Sequence, residues 1–231
     1  MGSKNRHAKE LLSIILKDRL PNQYFVDLFC GGCNIVDKVN GPRIANDINY
    51  YLIEMFKAVS TNQFIPPDYV TNEYYNEIRK NPKNYPPYLV GFVAFGCSYS
   101  GKEWGGYARG NDSKGNPRNY CLESKKNLLK QVSNLKGIQF YNKNYWEIEI
   151  PENAICYCDI PYKNSTKYKD NFDHDKFWDW ARNQSKLNKV YISEYSAPSD
   201  FSCIWSKEVF NSLTRETGAK KGIEKLFIYN G

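Results

Sequence analysis

The run Cys156-Tyr157-Cys158-Asp159-Ile160-Pro161-Tyr162 offers a carboxylate, a proline-restrained turn and an aromatic ring directly after a short apolar stretch. A buried strand over Ala154 to Cys158 would deliver all three to the carboxyl edge of a sheet, where open α/β folds keep their ligands. A second group is Asp27-Leu28-Phe29-Cys30-Gly31-Gly32, where a strand should hand over to a helix. Glycines there let the backbone approach a nucleotide-like ligand beside free helical N–H groups, or merely make a turn. The pattern is not Gly-x-Gly-x-x-Gly, which disfavours a dehydrogenase phosphate loop. Asn46-Asp47-Ile48 adds an acid 20 residues after Asp27. Such an acid either holds ribose hydroxyls or caps a helix.

These groups need elements to position them. Apolar residues at Ala8, Leu11, Leu12 and Ile15 predict an amphipathic helix over Lys4 to Leu16. Tyr24 to Phe29 reads as a buried strand, Asn34 to Val39 as a helix and Arg43 to Asn46 as a second strand. Tyr50 to Val59 is again helical in period. Helix, strand, helix, strand, helix opens a doubly wound α/β sheet. Beyond Thr61, prolines punctuate two helices, Thr71 to Lys80 and Tyr88 to Phe95, before a glycine-rich stretch and a helix over Leu122 to Leu135. Ile138 to Tyr141, Val190 to Ser193 and Leu226 to Tyr229 read as further strands, with a helix over Lys176 to Leu187. The simplest organisation is one α/β catalytic domain from residues 1–59 and 137–231, interrupted by a mainly helical insertion over residues 60–136.

The chain has 231 residues and a formal net charge of +7. Between Gly101 and Lys130 seven basic residues face three acidic ones, beside Tyr99, Trp104, Tyr107 and Tyr120. That mixture suits a nucleic-acid surface or a solvated basic loop. No run of 18 apolar residues and no secretory leader is present, which predicts a cytoplasmic protein without a membrane partner. The odd number of cysteines, seven, argues for a reducing compartment. His7 and His174 are the only histidines, too few for a histidine-rich metal site. His174, between two aspartates, reads as a helix start. Gly96 to Lys102 nearly spells a P-loop, but Glu103 stands where Mg²⁺ chemistry needs Ser or Thr. Cys30, Cys33, Cys156 and Cys158 could mimic a zinc site, although small buried cysteines on strands are commoner.

The run from Asp159 to Tyr162 resembles the Asp-Pro-Pro-Tyr motif of DNA amino-methyltransferases. Gly2-Ser3-Lys4, Asp27 to Gly32, Asn40-Gly41-Pro42 with Ala45 to Ile48, and Lys225 to Asn230 are similar, in that order, to the DNA adenine methylase (Dam) family, especially its phage-type members. The resemblance implies a Rossmann-like S-adenosylmethionine-dependent methyltransferase sheet with a target-recognition insertion. It implies methylation of adenine N6 in double-stranded DNA, with S-adenosylhomocysteine as product, no metal and no obligate protein partner, in a bacterial or phage-infected cell. Gly2, Ser3 and Lys4 would lie near the methionine part of the cofactor, and Phe29, Cys30, Gly31 and Gly32 would wrap it. Asp47 with Ile48 would hold its ribose, Tyr145 would neighbour its adenine, and Asp159 would border the transferred methyl.

The resemblance makes Asp159, Ile160, Pro161 and Tyr162 the catalytic run, and Lys102, Arg109 and Arg118 the candidate DNA contacts. An exocyclic amine is a poor nucleophile because its lone pair is delocalised. Asp159 and the C=O of residue 160 could each accept an N6–H, favouring a pyramidal nitrogen. Tyr162 would stack on a base flipped from the duplex. N4-cytosine methylation uses the same logic, and a DNA-binding protein of this fold without turnover is the alternative from another class. Two departures stand out: Ile160 replaces the motif's first proline, and Cys33 stands where many relatives have a third glycine.

Overall fold

The computed structural model describes residues 4–162, 172–211 and 220–231, with side chains for 4–162, 172–208 and 222–231. Gly2 and Ser3 lie outside the described residues. The seven strands are β1 (Phe25–Asp27), β2 (Arg43–Asn46), β3 (Ile138–Tyr141), β4 (Ile155–Asp159), β5 (Lys189–Glu194), β6 (Phe201–Asn211) and β7 (Lys220–Tyr229). They form one sheet of order β3-β2-β1-β4-β5-β7-β6. The first five are parallel, β7 runs antiparallel to β5, and β6 runs antiparallel to β7. The chain winds outward from β1 to β2 and β3, then returns to place β4 on the other side of β1. The carboxyl ends of β1 and β4 therefore flank the switch point of a Rossmann-like α/β fold.

Both faces of the sheet are covered, which is why its strands read as continuous apolar runs. Phe25, Ala45, Ile155 and Tyr157 point into one cluster with the helices α1 (Ala8–Ile15), α2 (Tyr50–Ser60), α3 (Asn72–Lys80), α4 (Pro87–Gly91) and α5 (Tyr120–Leu135). Val26, Ile44, Cys156 and Cys158 point into the other, against α6 (His174–Gln184). Helix starts follow local chemistry: Asn49, Thr71, Asn119 and Asp173 each accept a backbone N–H two or three residues on. His174 is the first residue of α6, as the sequence predicts.

The helix expected over Lys4 to Leu16 is a 3₁₀ turn, Lys4–Arg6, followed by α1, and the one expected over Lys176 to Leu187 starts two residues earlier and ends three earlier. Four further elements differ from the sequence reading. The helix expected over Asn34 to Val39 is a single 3₁₀ turn, Val36–Lys38. Cys33 ahead of it holds a left-handed φ of 57°, and Gly41 (φ 78°) turns the chain soon after, leaving no room for an α-helix. The helix over Tyr88 to Phe95 is α4 followed by a π turn, Phe92–Gly96. β7 begins six residues earlier than read, and β6 was not read at all. β6, one of the sheet's two outer strands, mixes Ser, Lys and Glu into its sequence and none of residues 202–208 is buried, so it lacks a buried strand's apolar signature.

The helices of residues 60–136 are tied to the sheet by close backbone approach. A Cβ on Gly91 of α4 would sit 2.1 Å from the Tyr51 carbonyl oxygen of α2. Helix propensity alone would make Gly91→Ala stabilising by about 1 kcal/mol. The backbone clash reverses that sign, and the expected loss is about 3 kcal/mol. A urea midpoint equal to or above wild type would disprove this account of the α2–α4 contact.

Candidate active site

Asp27 ends β1 in register with Tyr157, and Asp159 ends β4 two residues further on, so both acids lie at the switch point. Asp27 is 2% exposed and takes backbone N–H bonds from Phe29 and Val36. Its Oδ1 has no hydrogen-bond partner among the described residues. Burial, with Asp159 adding, pushes its carboxyl well above the usual range. Asp159 meets Lys4 Nζ at 3.4 Å and accepts from the Tyr162 hydroxyl at 3.4 Å, both through Oδ1. Burial raises its carboxyl to about 6 against the opposing pull of Lys4. Burial would lower the Lys4 ammonium, but Asp159 and Glu224 together outweigh it and hold the group above its ordinary value.

The glycine turn is locked from several sides. Cys30 N–H donates to the Asn46 carbonyl at 2.8 Å, and Gly31 N–H donates to Asp47 Oδ2 at 3.0 Å. Gly31 has φ 46°, and Cys33 takes the left-handed conformation although it is not glycine. Such a residue stores about 1–2 kcal/mol of strain, so this turn is held by its surroundings. The Cys30 and Cys33 thiols hydrogen-bond one another. They lie in the cluster on one face of the sheet while Cys156 and Cys158 lie on the other, so the four cannot converge on a zinc ion. The P-loop pattern is absorbed by the π turn and a short 3₁₀ turn, Tyr99–Gly101, with no helix following Lys102.

Asp47 does not cap α2; Asn49 does. Asp47 Oδ1 instead accepts from Asn49 N–H at 2.9 Å, so the carboxylate bridges the glycine turn and the start of α2. Burial raises it, and Glu103 of the insertion, which accepts from Asn49 Nδ2 at 2.9 Å, adds to the rise. Ile48 beside it is 68% exposed. Phe29 and Tyr145 meet at 5.4 Å within an aromatic group that includes Phe172 and Phe177. Tyr145 is buried, its hydroxyl pushed up to about 12 by burial and without a hydrogen-bond partner among the described residues.

Ile160 is 2% exposed and packs into the core beside α6. Tyr162 is half-buried: its ring meets Tyr195 at 4.3 Å, with Lys4 Nζ 4.8 Å from its centre. Its hydroxyl donates to Glu224 Oε2 at 2.6 Å. Tyr195 and Glu224 escaped the sequence reading. Glu224 sits among Lys220, Lys221 and Lys225, where an acid looks like ordinary surface charge. Lys102, Arg109 and Arg118 are exposed on the stretch between the π turn and α5. Arg118 pairs with Glu123 and lies 4.4 Å from the Tyr120 ring centre.

The electrostatics give a direct expectation. Lys4→Met removes the cation that opposes burial at Asp159, so the Asp159 midpoint should climb above 6. Carboxyl ¹³C NMR on the folded variant reads it; a midpoint at or below the wild-type value would show that Lys4 is not its counter-charge.

The family model of the D12 class N6 adenine-specific DNA methyltransferases matches residues 1–222. The structure aligns with SMU.472, solved complexed with SAH, over 99% of this chain at 10% identity and a TM-score of 0.39. This chain spans about half of that one, 52%. An rRNA methylase from Streptococcus thermophilus aligns over 100% of this chain and 99% of its own, at 7% identity and a TM-score of 0.41. With the family match running through both strand ends and the insertion, the chain belongs to the D12 class N6 adenine-specific DNA methyltransferases.

Proposed function

We propose that this protein methylates adenine N6 in double-stranded DNA at a specific sequence, using S-adenosylmethionine. Family membership over residues 1–222 carries the reading, and the two acids at the adjacent ends of β1 and β4 support it. The crevice fits the cofactor on one observation: Asp27 Oδ1 is a buried acceptor without a donor among the described residues, which an ammonium group would supply. When bound, the cofactor supplies a methyl group activated on a sulfonium sulfur.

The chain's own groups do the rest. Asp27, the Phe29–Gly32 turn and Asp47 hold the cofactor, Asp47 through lone pairs left beyond its bonds to Gly31 and Asn49. Exposed Ile48 and the Phe29–Tyr145 pair supply apolar surface near the cofactor's adenine. Asp159 and the carbonyl of Ile160 accept the two hydrogens of the target amine and aim its lone pair. Tyr162 stacks on the base turned out of the duplex, with Pro161 restraining the backbone between them. Transfer is a direct displacement, promoted by positioning and electrostatics. Lys102, Arg109 and Arg118 meet the DNA.

Expression in a methylation-free host, followed by nucleoside analysis, tests the reading: N6-methyladenine is expected, and N4-methylcytosine in its place would overturn it. Asp159→Ala should fold yet lose about a hundredfold or more in turnover, as removal of one transition-state partner does. Wild-type turnover should fall as pH drops through about 6, because a protonated Asp159 loses acceptor capacity for the amine. A flat profile between pH 5 and 8 in a stable enzyme would remove Asp159 from that role.

Alanine at Lys102, Arg109 or Arg118 should weaken DNA binding while leaving S-adenosylmethionine affinity within about threefold. A phosphate contact lowers the salt slope by roughly one unit at unchanged sequence preference, whereas a base contact relaxes preference. Normal DNA binding by all three variants would exclude this stretch as the reader.

A further inference from the structure

Glu224 belongs to none of the motifs, yet it closes the crevice. It stands on β7 with its side chain 17% exposed. Its Oε2 receives hydrogen bonds from both Lys4 Nζ and the Tyr162 hydroxyl, the latter at 2.6 Å. Asp159 meets the same two groups only at 3.4 Å, and only through Oδ1. Two carboxylates thus compete for one ammonium and one hydroxyl, and the closer contacts go to Glu224. The tyrosine is held at its hydroxyl by Glu224 and at its ring by Tyr195.

We propose that Glu224 is a positioning residue for methyl transfer: it draws Lys4 and the Tyr162 hydroxyl to itself, so that Asp159 keeps its capacity to accept an amine hydrogen and the tyrosine ring stays fixed for the base. The proposal rests on the amine-methylation reading. A carboxylate in a close ion pair has less charge to offer a weak neutral donor. Without Glu224, Lys4 would close on Asp159 and neutralise it. With Glu224, one positive charge is shared by two negative ones, and the surplus stays at the reacting edge. Asp159 is otherwise faced by Tyr162 from the turn after β4, Tyr157 within β4 and Asp27 at the end of β1. None of these is a cation that could replace Lys4.

Glu224→Gln is the test, since glutamine can still accept from Tyr162 but carries no charge. The Asp159 midpoint in the ligand-free variant, read by carboxyl ¹³C NMR, should fall by at least about half a unit, because a like charge is lost and Lys4 becomes its own. Single-turnover methylation of duplex DNA should slow by roughly tenfold to a hundredfold, while S-adenosylmethionine affinity by calorimetry stays within about threefold. A folded Glu224→Gln protein with an unmoved Asp159 midpoint and wild-type turnover would overturn the proposal. Should the glutamine variant fail to fold, Glu224→Asp keeps the charge but withdraws it from Lys4 and Tyr162. It should slow turnover about tenfold, and wild-type turnover there would be equally fatal. Failure of the function itself looks different: the wild-type chain would transfer no methyl, while the Asp159 titration still reports on Glu224.

Discussion

A carboxylate drawn into the end of a parallel strand loses part of its hydration, and hydrogen-bond donors or a neighbouring cation must offset that while it stays charged. For Asp159 the cation arrives from the far end of the chain. Lys4 lies on the 3₁₀ turn Lys4–Arg6 that leads into α1, and its ammonium reaches the switch point between β1 and β4. It can do so only because α1 is pinned to the sheet by Ala8, Leu11, Leu12 and Ile15, all on one face of the helix. The amphipathic period of the first helix therefore serves the chemistry of a strand end. Glu224 enters from β7, so the cluster also requires the antiparallel β5–β7 pairing. Three distant segments must dock before Asp159 has its working environment.

The long connection between β2 and β3 is joined to the glycine turn beside this crevice by polar contacts as well as by the shared core. From α5, Gln131 donates to Asp37 Oδ2 at 3.0 Å and to the Gly32 carbonyl at 3.3 Å, bracing the turn where Cys33 is strained. Glu103 reaches Asn49, the residue that caps α2 and donates to Asp47. The α2–α4 contact at Gly91 fixes the distance between these elements. The basic stretch and the glycine turn thus share supports, and a displacement of α5 would be felt at Gly32.

The parallel half of the fold was legible in the sequence because most of its strand residues are buried and its strands end in glycine, asparagine or proline turns. Arg43–Asn46 and Ile138–Tyr141 match the strand bounds residue for residue. β6 was illegible because none of residues 202–208 is buried and their polar side chains erase the apolar run. The acids Asp27, Asp47 and Asp159 could be read from the sequence because each stands at or next to the carboxyl end of a strand. Glu224 could not, since its role comes from a pairing between β7 and β5 that no local spacing encodes. Cys33 shows the same limit from another side, because a left-handed cysteine is dictated by the bonds around it and not by its own preference.

Ile160 ties these threads together at the point where the motif departs from its family pattern. Proline there would fix φ near −65° and remove an N–H. Pro161 already pushes the preceding residue toward extended geometry, so most of that restraint is present without a second proline. Isoleucine adds anchorage: at 2% exposure its side chain enters the apolar cluster that also holds Cys158 and Phe177. Burial of such a side chain contributes about 2 kcal/mol toward fixing the chain where it leaves the sheet. The carbonyl that follows is common to both residues. This protein therefore holds the turn beside Asp159 by core burial together with the restraint from Pro161.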